Sequence, residues 1–88
     1  MEFEWDGEKS AKLKAERGAS FEELAGTIHR EGIVDQIENP AYPGQAIWVV
    51  RHEGEIWAIP IELRGASVRL ITAYPNRKLR KFYEDDQT

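Results

Sequence analysis

The chain has 88 residues, 41% of them hydrophobic, a length that supports one core and excludes two. It has no cysteine, which excludes disulfides, thiolate metal centres and a thiol nucleophile. The formal net charge of −4 argues against a nucleic-acid binder until it is divided along the chain: residues 1–63 carry thirteen acidic side chains against six basic ones, residues 64–83 carry six basic ones and no acid, and Glu84-Asp85-Asp86 follow.

A segment so segregated attracts an anion or an acidic surface, unless it is only a solvated face at the end of the chain. The opening Glu2-Phe3-Glu4-Trp5-Asp6 has no apolar run behind it, so no signal peptide is expected. Uncharged apolar stretches such as residues 46–50 are far too short to span a bilayer. A reducing cytoplasm is the expected setting.

Along the chain, Phe3 and Trp5 alternate with acidic residues as a short half-buried strand. Asp6 is placed to cap a helix that runs to about Arg17 and is stopped by Gly18. Ser20 followed by Glu23 is a capping box, and Phe21, Leu24, Ala25 and Ile28 then recur at helical spacing until Glu31-Gly32. From Ile33 the period changes to two, with Ile33, Asp35 and Ile37, and residues 39–44 form a loop. Residues 46–52 and 56–63 read as strands joined by the turn Glu53-Gly54-Glu55. Pro60 has no N–H to donate, so its strand is expected to be at an edge or bulged there. A last strand over residues 67–73 is expected to be broken by Tyr74-Pro75-Asn76, with a short basic helix at residues 77–84. The whole predicts a small α+β domain spanning residues 1–88, two N-terminal helices and a C-terminal helix on a mostly antiparallel sheet of four to five strands. Both faces of the two long strands are apolar, so both need cover. The second cover is either a partner protein or the C-terminal helix, packed through Leu79, Phe82 and Tyr83.

No glycine-rich phosphate loop, paired-histidine metal spacing or serine elbow occurs, and no metal or cofactor is expected. His29 and His52, one on a helix and one on a strand, read as fillers rather than bases. What remains is Arg69, Tyr74, Arg77, Lys78, Arg80 and Lys81, around the last strand and its exit. Arg69 is expected on the strand face of Ile71 and Ala73. RNA is cut without metal when its own 2′-hydroxyl attacks the phosphorus, and guanidinium groups suit the charge that develops there. Tyr74, beside Arg77 and Lys78, is a candidate for proton transfer, because neighbouring cations lower a phenol's pKa.

The opening Phe3-Glu4-Trp5-Asp6 with Lys9, then Gly18-Ala19-Ser20-Phe21-Glu22-Glu23, then Val68-Arg69-Leu70-Ile71-Thr72-Ala73 and a terminal Arg/Lys/Tyr helix, together resemble the BrnT family of toxins. The likeness runs over nearly the whole chain, in order. It implies a RelE-like fold and a ribonuclease toxin held by a BrnA-like, ribbon-helix-helix antitoxin, with operator DNA met only through that antitoxin. Arg69 and the Arg77-Lys78 pair align with the family's basic positions. The expected catalytic set is Arg69 and Arg77 on the scissile phosphate with Tyr74 assisting proton transfer, while Lys78, Arg80 and Lys81 track RNA and Lys12 and Lys14 are outer contacts. Two positions depart from the family pattern. Glu16-Arg17-Gly18 stands where Lys-His-Gly is common, and Thr72-Ala73-Tyr74 where Ser-Ala-Arg is common, so an imidazole and a guanidinium are missing. The competing expectation is an interaction module without catalysis, its basic segment docking an acidic partner or nucleic acid.

Overall fold

The computed structural model describes residues 2–85; Asp86, the last residue of the acidic end, lies outside them. In chain order the elements are β1 (Glu2–Glu4), α1 (Gly7–Arg17), α2 (Phe21–Glu31), β2 (Asp35–Glu38), β3 (Gln45–His52), β4 (Glu55–Arg64), β5 (Ser67–Leu70), β6 (Tyr74–Pro75) and α3 (Arg77–Asp85). The fold is α+β, as expected, with one sheet of order β1-β5-β4-β3-β2 and β6 paired beside β4. That makes six strands where four to five were expected, the sixth being only two residues long. Every pairing is antiparallel except β1 with β5.

The two N-terminal helices start and stop where their caps dictate. The Asp6 carboxylate accepts the backbone N–H groups of Glu8 and Lys9, and Gly18 closes α1 at φ 95, a left-handed conformation open to glycine at little cost. Ser20 and Glu23 form the complete capping box of α2. Between the helices, buried Ser10 accepts the Phe21 N–H at 2.9 Å and donates to Glu22 at 2.8 Å. Ser10→Ala would strand a buried backbone donor, and we expect a loss of about 1–3 kcal/mol in urea unfolding.

Leu13, Phe21, Leu24 and Ala25 of the helices meet Trp48, Val50, Trp57, Ile59, Ile61, Val68, Leu70 and Ala73 on one sheet face. On the opposite face Val49, Ile56 and Ala58 are just as deeply buried, and α3 lies over β4 there. The second cover is therefore the chain's own C-terminal helix, docked through half-buried Leu79 and Tyr83, whereas Phe82 points away and is 65% exposed.

Three expectations for the last strands are corrected, and of the two alternatives at Pro60 the bulge is the one found. Pro60 sits inside β4, opposite Ile47 of β3, so its strand is central and not at an edge. Its carbonyl accepts the Ile71 N–H at 2.9 Å, and in an extended strand a residue's nitrogen faces the same side as its carbonyl. The missing donor therefore falls where β5 has ended and β6 has not begun. There the ladder is bulged: Leu70 pairs Ile61 and Tyr74 pairs Ala58, so residues 71–73 span the gap that only Ile59 and Pro60 span on β4. The strand predicted over 67–73 accordingly stops at Leu70, and Tyr74-Pro75, expected to break the sheet, rejoins it. An extra residue also switches faces, so Ala73 lies in the helix-covered core, across the sheet from Arg69.

Candidate nucleic-acid interface

α3 is built by its ends. The Asn76 carboxamide oxygen accepts the N–H groups of Lys78 at 3.0 Å and Leu79 at 3.1 Å, an N-cap, while the Asn76 N–H donates to Ile56 of β4 at 2.9 Å. At the far end the Tyr83 hydroxyl donates to Asp35 of β2 at 2.6 Å, and this bond is the main reason that carboxyl lies below its ordinary 3.8. The helix thus crosses the sheet from β4 to β2. With Leu79 and Tyr83 facing in, helical spacing turns Arg77, Lys78 and Lys81 outward, and all three are exposed, beside Phe82. None of the three forms an ion pair among the described residues. Arg77 and Arg80 line a hollow of about 230 Å³ with Glu55, Ile56, Pro75 and Asn76.

The expected catalytic set is not brought together. Arg69 pairs in register with Glu62 on one side and Glu4 on the other, with its guanidinium 4.0 Å from the Glu4 carboxylate. Glu62 lies six residues along β4 from Ile56, where α3 begins. At roughly 3.3 Å per residue that separates Arg69 from the start of α3 by about 20 Å. Tyr74 is half-buried beside Ala58, between the two. Only Arg77, Lys78, Arg80 and Lys81 share one element with the exit that Tyr74 leads into.

Lys12 and Lys14, expected as outer RNA contacts, belong to α1 on the other side of the sheet. Lys14 is bonded to Glu23 at 2.8 Å, and that hydrogen bond raises its pKa and draws the Glu23 carboxyl down to about 2. Lys12 lines a separate hollow of about 460 Å³ with Lys9, Arg17 and Thr72, but also with Asp6, Glu8 and Glu16. They cannot extend a track that begins on α3.

Arg17, at one of the two departures from the BrnT pattern, donates to the Ala73 carbonyl at 2.6 Å and so pins the bulged residues 71–73 to α1. A charge-assisted bond to a backbone carbonyl is a structural tie. His29 is exposed, with its ring 4.9 Å from that of Phe3. His52 is buried and bonded to Thr27. Sequence reading missed the cap at Asn76, although an Asn directly before a helical run is a known start signal. No local signal marks the Tyr83–Asp35 bond, which joins residues 48 apart. The sequence matches no family model, and no curated protein is significantly similar to it.

Proposed function

We propose that this protein is the toxin of a toxin–antitoxin pair, an endoribonuclease that grips RNA with the outward face of α3. The observation that carries this reading is that Arg77, Lys78 and Lys81 form no ion pair among the described residues and stand beside an exposed aromatic ring, whereas Lys14 and Arg69 face carboxylates. Unpaired cations around a ring suit a single-stranded backbone whose bases stack. Arg77, in the first turn of α3, adds its fork to the positive end of the helix and holds the scissile phosphate. Tyr74, on β6 three residues before it, assists proton transfer, and no metal is used. A ribbon-helix-helix antitoxin neutralises the toxin in the cytoplasm by covering α3, and the pair meets operator DNA only through the antitoxin. The resemblance to BrnT toxins supports these last statements, and the placement of the basic residues supports the site. No helix among the described residues is long and apolar enough to cross a membrane.

The test is RNA cleavage by the purified chain in excess chelator. Fragments should form, Arg77→Ala should abolish them and relieve growth arrest, and Arg69→Ala should leave most activity, because Arg69 sits far along β4. Loss in Arg69→Ala with activity kept in Arg77→Ala would move the site to β5. The wide separation of Arg69 from Arg77 favours a second reading, a module that binds RNA or an acidic partner and cuts nothing. RNA bound intact by the wild-type chain would select it.

A further inference from the structure

Where α1, α2 and the β3–β4 turn converge, Lys14, Glu23, His52 and Glu53 meet. His52 is 7% exposed. Its Nδ1 lies 2.7 Å from the Thr27 hydroxyl oxygen, which also accepts from Arg30 at 3.2 Å. Its Nε2 is buried with no hydrogen-bond partner among the described residues and lies 4.0 Å from a Glu53 carboxylate oxygen. One ligand atom each from Glu23, His52 and Glu53 falls within 4.8 Å of the other two. A core filler leaves that second nitrogen unexplained, since a buried polar atom without a partner costs free energy.

We propose that Glu23, His52 and Glu53 bind a divalent first-row transition-metal ion, with Zn²⁺ as the probe. One imidazole and two carboxylates, with water completing the shell, suit such an ion. Ca²⁺, which takes six or more oxygen ligands, and Mg²⁺, which demands an octahedron largely of water, fit less well. Bonds of about 2.0–2.1 Å place tetrahedral ligand atoms roughly 3.4 Å apart. Glu53, with its side chain 75% exposed on the turn, has solvent around it in which to rotate and would close the present 4.0 Å gap to His52 on the ion. The tautomer follows: Nδ1–H donates to Thr27 and the Nε2 lone pair faces the ion, the usual division of labour for a ligating histidine.

The cation now beside Glu23 is the Lys14 ammonium, 2.8 Å away on a side chain 54% exposed. Metal binding displaces it, so Lys14 is a built-in competitor. The site lies across the sheet from α3 and does not depend on the RNA reading. Occupied, it would tie α2 to the β3–β4 turn.

The test is calorimetric titration of ZnCl₂ into the chelator-stripped full chain, paired with thermal melting. One ion per chain and a raised melting temperature are expected. Glu53→Gln and His52→Gln should each weaken binding at least about tenfold, because even an outer partner of a ligand is worth that much. Lys14→Met should tighten binding, and His29→Gln, which removes the other histidine, should leave it unchanged. Glu53 lies on an exposed turn, so its variant reports even where the His52 variant fails to fold. No saturable binding, equal binding by Glu53→Gln, weaker binding by Lys14→Met, or loss in His29→Gln would each overturn the assignment.

Discussion

Reversing charge at Lys78 and Lys81 together is expected to abolish RNA binding at physiological salt while leaving the fold intact. Both side chains are exposed and form no ion pair among the described residues, so their replacement removes none of the ion pairs described here. Affinity for a polyanion comes largely from releasing the counterions condensed on it, and each cation that meets a phosphate contributes one unit of release. On single strands each such contact steepens the fall of log affinity with log salt by about 0.7. The alanine forms should therefore each lower the slope by about 0.7, and together by about 1.4. The glutamate forms add repulsion and should remove binding outright. Fluorescence anisotropy of a labelled single-stranded RNA across a salt series reads both effects. A slope that does not change in the double alanine variant would take RNA off α3.

The largest effect on stability is expected from Ile59→Ala. Ile59 is completely buried in mid-β4, within the cluster that joins the sheet to both N-terminal helices. Cutting back such a side chain costs about 2–5 kcal/mol, because transfer free energy is lost and a cavity remains. Whole domains hold only about 5–15 kcal/mol, and short chains lie toward the lower end. The unfolded fraction should rise roughly thirtyfold to several thousandfold. The urea midpoint should collapse with little change in slope. Ile37 makes the contrast: it lies on the edge strand β2 and is 36% exposed. Ile37→Ala should move the midpoint far less, and equal losses at the two positions would mean that β4 is not the centre of the core.

These two predictions divide between what was legible in the sequence and what was not. Asp6, Gly18, Ser20, Glu23 and Gly32 announce the ends of α1 and α2, because caps are local chemistry written within four residues. The β3–β4 hairpin is equally local. Pro60 left edge and bulge both open because its cost depends on which side of the strand needs a donor, and that is decided by residues 71–73 further along the chain. The same bulge carried Ala73 to the face opposite Arg69, which alternation of residues could not foresee. At the candidate site, the clustering of positive charge was visible, but the distance between Arg69 and Arg77 was not. Nearness in sequence stood in for nearness in space, and a bulge with a second pairing undid it. His52 was read as a filler because burial is a tertiary property, and so was its unmatched nitrogen.

The pairing of β1 with β5 also sets an order of events at synthesis. Phe3 pairs in register with Val68, so β1 must wait for β5, made long after it. Until then the edge of β5 has not been made and the amino-terminal strand has no ladder to join. Such distant closure slows folding relative to helices and hairpins of similar stability. During synthesis β1 should therefore stay unpaired until β5 is made, an interval in which proteases can reach residues that the completed sheet later hides.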